Sequence, residues 1–256
     1  MTRIDRLLTG PAKPFGPRAA PSGIHKRPVA GRAWLGREGF TGDEQGDRKH
    51  HGGPEKAVHH YAFEHYAPWR EAIGARDVLT RPGAFGENLS TTGLSEAQIA
   101  IGDTFRAGGA LIQVSQGRQR CWKLNLRFGV PDMAFRVQAS GRTGWYYRVI
   151  EEGFVEAGDD LVLVERISPE WTIERLWREQ GPLPTGTCEP HVAEHAGSEE
   201  KIGVGDRGAP PDRPRTCVES IVGEVERAAP AIRRLILQAD LHRRRLGTAF
   251  PCALSL

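Results

Sequence analysis

QVSQGRQRCWKLNL, residues 113–126, is the stretch from which the rest of the chain is read. Its first half alternates, with Leu111, Gln113 and Ser115 on one side and Ile112 and Val114 on the other. That pattern predicts a strand, entered through the turn signal Gly108-Gly109. A polar loop follows at once and carries Arg118, Arg120, Cys121 and Lys123 within six residues. Neighbouring cations stabilise a thiolate and make it a competent nucleophile or soft-metal ligand. The same residues also suit a half-buried cysteine acting as a small hydrophobe beside solvated arginines. Spacing alone leaves both readings open.

Outward from this strand the pattern stays β-rich. Gly-Asp turns at 102–103 and 158–159 each precede alternating apolar residues, over 104–107 and 161–164. A strand at 144–150 feeds Glu151-Glu152-Gly153 and another short strand, and 130–140 predicts one helix crossing the strands. Short strands at close spacing with Gly-rich turns point to a closed or nearly closed barrel. On the N-terminal side, residues 3–9 predict a first strand, ended by Gly10-Pro11. Residues 10–55 are rich in Gly and Pro, with extended pieces near 24–29 and 32–35. Pro54 suits the first position of a helix. Val58, Tyr61, Tyr66, Trp69 and Ile73 then follow a near-helical period, so a helix is predicted from Pro54 to Gly74, bent or shortened by Pro68.

Composition bounds the function. A chain of 256 residues with 39% hydrophobic and 26% charged residues has enough apolar material for a sizeable core. Net charge is only +3, and Arg243-Arg244-Arg245 is the longest basic block, which is not the footprint of a dedicated nucleic-acid binder. The cysteines at 121, 188, 217 and 252 form no CxxC pair. That argues against a structural zinc site or a disulfide framework and fits a reducing cytoplasm. The N-terminus has no apolar run suited to a signal peptide, and no segment approaches a membrane span, so a soluble cytoplasmic protein is expected.

The chain changes character near Gly181. Every tryptophan and tyrosine precedes that point, and Phe250 is the one phenylalanine after it. With so few large apolar groups, 182–220 cannot bury enough surface to offset its ordering entropy and is expected to be disordered. One amphipathic helix candidate remains at 221–246, interrupted by Pro230.

Two further motifs carry chemistry. His50, His51, His59 and His60 invite a metal-site reading, but the two pairs lack the i, i+4 spacing that puts ligands on one helical face. In His51-Gly52-Gly53, the glycines would let the backbone approach a ligand and a following helix N-terminus would favour an anion. A tight turn with no ligand fits the same residues. In GAFGENL (83–89), Asn88 could aim an amide that donates and accepts at once into a pocket, or be satisfied within its loop.

Taken together, GDEQGDRKHHGGPEKAVHHY (42–61), GAFGENLS (83–90), IGDTFRAGGALIQVSQ (101–116), RxxCWKLN (118–125) and GRTGWYYRV (141–149) resemble the MOSC family. The family is named for the C-terminal domain of molybdenum cofactor sulfurase, and the resemblance is to its YiiM-type branch. It covers residues 1–178. It implies a mainly β fold: a MOSC-type β-barrel with a few peripheral helices over 1–178. An atypical, partly disordered tail over 179–256 then stands in place of the family's three-helix domain.

The resemblance also implies function. Cys121 becomes the protein ligand to molybdenum in the molybdenum cofactor (Mo-molybdopterin). Arg118, Lys123, Ser115, Gly52, Gly53 and Asn88 become cofactor contacts, with Arg118, Lys123 and backbone donors near Gly52-Gly53 on the phosphate. Members of this branch reduce N-hydroxylated compounds such as hydroxylaminopurines, with two electrons from a flavin or iron–sulfur reductase. His51 and Asp43 are the candidates for proton relay beside Cys121. A molybdenum cofactor or sulfur carrier without turnover is the alternative, and a cofactor-free remnant a third reading. No domain suited to pyridoxal phosphate is expected.

Two departures from the family pattern stand out. Gly117 and Arg120 occupy positions where the family loop has prolines, which would loosen the loop and add charge beside the thiol. The resemblance also fades just beyond WTIERLW (171–177). The Arg/Pro/Gly/Ala-rich remainder reads like a GC-rich gene translated in a shifted frame, a hypothesis that fails if the other two frames of the coding DNA contain no helical-domain sequence.

Overall fold

The structure is a computed structural model and describes residues 2–46 and 52–179. The expectations of disorder over 182–220 and of a helix over 221–246 lie outside the described residues, as do His50 and His51.

The chain opens with β1 (Thr2–Thr9), which buries Ile4, Leu7 and Leu8. The Gly- and Pro-rich segment yields only short strands: β2 (Lys13–Phe15), β3 (Ala20–Ser22), β4 (Arg27–Pro28), β5 (Ala33–Gly36) and β6 (Gly39–Phe40). Proline lacks the donor a ladder needs, so long strands are not available there. Next come β7 (Val58–Ala62), α1 (Tyr66–Ile73), β8 (Leu89–Thr91), β9 (Thr104–Ala107) and β10 (Ala110–Gly117). They are followed by α2 (Lys123–Phe128), α3 (Met133–Ser140), β11 (Trp145–Glu151), β12 (Gly153–Val155), β13 (Asp160–Glu165) and α4 (Ile173–Glu179).

Seven strands close on themselves in the order β13-β9-β10-β11-β7-β8-β1, and β1 returns to β13 through Thr2↔Leu161 and Arg3↔Asp160. Closure leaves the barrel no free edge. Neighbours are antiparallel except β7 and β8, which run parallel with His60 opposite Leu89. The barrel core includes Ile4, Ile112, Trp145, Tyr147 and Phe105. A second cluster joins Tyr61, Tyr66, Trp69, Phe85, Leu124, Phe128, Met133 and Val137, and brings α1, α2 and α3 together. The helix expected near 130–140 is therefore present as α3. No helix among the described residues is long and apolar enough to cross a membrane.

One expectation is corrected. No helix runs from Pro54 to Gly74: Pro54–Lys56 is a single 3-10 turn, and β7 comes next with all five residues buried. This strand is hydrogen-bonded to β11 on one side and β8 on the other. A strand covered on both faces need not alternate, so its apolar spacing imitates a helix. The helix begins only at Tyr66, and Pro68 sits in its first turn, where the missing N–H is tolerated. The alternation over 111–115 is modified as well. A register shift between Val114 and Gln116 buries Ser115 along with Ile112 and Val114.

Candidate functional site

The loop after β10 is built rigidly despite its lack of prolines. Arg118 N donates to Gly144 O at 3.0 Å, and Arg120 N to Gln138 Oε1 at 2.9 Å. Gly117 lies against the Trp177 indole: a Cβ there would stand 3.0 Å from the ring. A side chain at 117 would press on α4, so the packing accounts for the glycine. Leu124 and Phe128 anchor α2 in the second core, fixing the loop at its far end. Cys121 is 8% exposed, Arg118 5% and Lys123 7%, so three chemically active side chains are held nearly out of solvent.

A second loop, 83–88, faces them. Its stiffness comes from Glu87, whose fully buried carboxylate accepts from Gly83 N at 2.6 Å, Phe85 N at 3.0 Å and the Tyr66 hydroxyl. Arg127 of α2 donates to Ala84 O at 2.6 Å and Gly83 O at 2.8 Å, which fastens this loop to the cysteine side. Gly86 has φ +78° and a Cβ there would sit 3.2 Å from Ile24, so glycine is needed for both conformation and space.

Between the two loops lies a cleft of about 90 Å³ that Cys121, Arg118 and Lys123 share with Lys26, Asp43, Asn88, His59 and Tyr146. Lys26 and Asp43 form an ion pair whose side chains are 6% and 5% exposed. Asp43 also accepts from Gly10 N at 2.9 Å and from Asn88 Nδ2 at 2.8 Å. Asn88 in turn donates to Leu8 O at 3.1 Å and accepts from His59 N at 3.0 Å. Burial lowers the Lys26 pKa, and the attraction of Asp43 only partly offsets it.

His59 is enclosed in β7. Burial holds its pKa well below the ordinary range, and the Arg118 guanidinium pushes it further down. It is neutral at physiological pH. Its Nε2 and the Arg118 Nη1 are both buried without a hydrogen-bond partner among the described residues. Such atoms are costly to leave unpaired and mark where a ligand or ordered water belongs. Burial raises the Tyr146 phenol pKa, with Arg118 pulling it back, so this group is a neutral hydroxyl.

The structure thus gathers Cys121, Arg118, Lys123, Asn88 and Asp43 from three separate stretches of the sequence into one cleft. Ser115 is not among the lining residues: its hydroxyl donates to Glu55 O at 2.6 Å and Tyr146 O at 3.1 Å, tying β10 to its neighbours. Gly52 and Gly53 do not line the cleft either. Gly53, at φ +88°, donates its N–H to Gln45 Oε1 at 2.9 Å, and Pro54–Lys56 beyond it is a three-residue turn rather than a helix with an anion-binding end. His51 lies outside the described residues. Lys26, His59 and Tyr146 are among the cleft residues that sequence reasoning does not assign to it. Lys26 has no local motif, and its place is set by a partner 17 residues away. His59 groups in sequence with the paired histidines rather than with the cysteine loop.

Residues 47–162 match the model of the MOSC domain. The chain is 47% identical over 162 residues to Protein YiiM of Escherichia coli (strain K12), covering 63% of this chain and 72% of that one. A crystal structure of YiiM from Geobacillus stearothermophilus shares the fold with a TM-score of 0.59 at 34% identity, over 71% of this chain and 86% of that one. A protein named Reductase from Gibberella moniliformis is 39% identical over 158 residues, which span 61% of this chain and 28% of that longer one.

Proposed function

Because the chain belongs to the MOSC domain family and to its YiiM-type branch, we propose that it is a molybdenum cofactor-dependent reductase of N-hydroxylated compounds such as hydroxylaminopurines. The observation that carries this reading is the cleft itself. One nearly buried thiol shares it with the cations Arg118, Lys123 and Lys26, and two buried polar atoms there lack partners among the described residues.

These residues fit the cofactor on chemical grounds. A thiolate suits a soft metal, so Cys121 is the proposed protein ligand. Arg118, whose Nη1 needs an acceptor, and Lys123, held in place by its bond to Pro21 O at 2.6 Å, are the proposed partners of the anionic phosphate. His59 Nε2 offers a neutral acceptor to a donor on the pterin. Asn88 acts from behind, by fixing Asp43 and β7. When bound, the cofactor supplies two-electron redox chemistry, with electrons from a flavin or iron–sulfur reductase partner. The chain's own part is to exclude water, orient the N–OH group and deliver protons so that water can leave. Asp43 serves that proton supply as the fixed carboxylate paired with Lys26, and His51 remains a proposed member of it.

The test is turnover of a hydroxylaminopurine by protein purified from a cofactor-producing host, driven by reduced methyl viologen. Conversion to the aminopurine at many turnovers per molybdenum supports the reading. Metal-loaded protein that converts nothing but transfers its cofactor readily to an apo-enzyme supports a carrier instead.

A further inference from the structure

We infer that Lys26 is the catalytic acid of this cleft, and that Asp43 is the positioning residue that holds it there. The inference rests on the reductase reading above and assigns its proton donor.

The cleft supplies few groups able to give up a proton. Asp43 is an acceptor three times over, to Lys26, Gly10 N and Asn88 Nδ2, so its carboxylate is already committed. Glu44 is likewise used, accepting from Ala12 N at 2.8 Å. Both Asn88 amide hydrogens are spent on Leu8 O and Asp43. A guanidinium such as Arg118 does not release a proton in proteins. His59 is held neutral, and the Tyr146 phenol is made a poorer acid by burial. Lys123 donates to Pro21 O, Cys121 is the proposed metal ligand, and Lys56 has an interaction of its own.

Lys123 also keeps spare N–H donors but is the proposed phosphate partner, which leaves Lys26. Lys26 lines the cleft, and its ammonium makes one hydrogen bond, to Asp43, although an ammonium carries three N–H donors. The others have no acceptor among the described residues. Charged or titratable groups facing it are Asp43 from the loop before residue 47, Glu87 from the 83–88 loop and His59 from β7. Burial outweighs the two carboxylates and lowers the lysine's hold on its proton, which brings an ordinarily weak acid nearer the working range.

In the step assigned to it, Lys26 Nζ gives a proton to the hydroxyl oxygen of the N–OH substrate. The N–O bond breaks, and the oxygen departs as water. The nitrogen is reduced by two electrons from the flavin or iron–sulfur donor and takes its second proton from solvent. The balance is R–NHOH + 2 e⁻ + 2 H⁺ → R–NH₂ + H₂O. Lys26 is reprotonated from solvent between turnovers, with Asp43 holding the ammonium in place.

The test compares wild type with Lys26→Arg and Lys26→Gln, each as holoprotein. Four quantities are read: molybdenum per chain, circular dichroism, substrate dissociation constant and kcat against pH. The expected result is that Lys26→Arg keeps the metal, the spectrum and substrate binding within about threefold, while kcat falls about a hundredfold, as for loss of a general acid. Wild-type kcat should fall on the alkaline side at a pH below about 10.4, the unperturbed lysine value, and that limb should vanish from the residual activity of the variants. A variant with wild-type kcat and an unchanged alkaline limb overturns the inference. So does loss of metal from Lys26→Arg, which would make Lys26 a cofactor-holding residue. If neither variant folds, absence of an alkaline limb in the wild type still overturns it, and its presence at the stated pH supports it. A wild type that holds metal but shows no turnover overturns the reductase reading itself, and with it this step.

Discussion

Asn88 Nδ2 lies 2.8 Å from Asp43 Oδ2, and this hydrogen bond ties the loop carrying Asp43 to the loop that opens with Gly83. The same side chain holds Leu8 O and His59 N, so one amide fastens β1 and β7 to the wall of the cleft. Asn88 is 3% exposed, and bulk water cannot readily replace these partners.

Replacing Asn88 with Ala removes these bonds and strands a buried carbonyl and a buried N–H. At about 1 kcal/mol for each bond, with more for a buried group left unpaired, a loss of about 2–4 kcal/mol is expected. Urea unfolding monitored by tryptophan fluorescence measures it. A change below about 0.5 kcal/mol would show that the network is not what holds the loops.

Arg118 should show the opposite balance. Its guanidinium is desolvated, and Nη1 has no partner among the described residues, so it adds little to the stability of the cofactor-free protein. Arg118→Met is expected to leave the cofactor-free Tm within a few degrees of wild type or raise it. Cofactor retention after gel filtration should fall at least about tenfold, the loss of a charge-assisted bond to phosphate. Strong destabilisation of the cofactor-free variant would count against a ligand-facing role.

His60 supplies a pH signature independent of the cofactor. Its ring lies between Tyr147 OH at 3.0 Å and Thr91 Oγ1 at 2.8 Å, and burial lowers its pKa to about 3. The unfolded value is about 6.5, so between these values the unfolded chain binds the proton and the folded chain does not. The stability is fully present above about pH 6.5 and is lost as pH falls through this window. The slope is up to about 1.4 kcal/mol per pH unit. His60→Gln should flatten the stability–pH curve between about pH 6 and 4 relative to wild type. An unchanged curve would place the proton elsewhere.

The barrel is legible in the sequence because its strands announce themselves. Residues 104–107 and 110–117 sit between Gly turns and alternate, and the structure pairs them directly, Ile112 opposite Phe105. β7 is not legible, since a strand buried on both faces loses the alternation that identifies strands. The cysteine loop can be picked out because its cations are neighbours in sequence. Lys26 cannot, because it stands in a Gly- and Pro-rich stretch and joins the cleft beside Asp43, a partner with no local signature. The family resemblance puts Ser115 among the cofactor contacts, whereas in the structure, at a register shift of β10, its hydroxyl is spent on Glu55 O and Tyr146 O.

The most direct test of Cys121 as metal ligand is molybdenum per chain in protein purified from a cofactor-producing host, wild type beside Cys121→Ser. The expected result is close to one molybdenum per wild-type chain and, in the variant, loss of the metal or a clear change in its electronic absorption. Absence of metal from the wild type, or equal loading with identical spectra in both proteins, would contradict the assignment of Cys121 as the ligand around which the cleft is built.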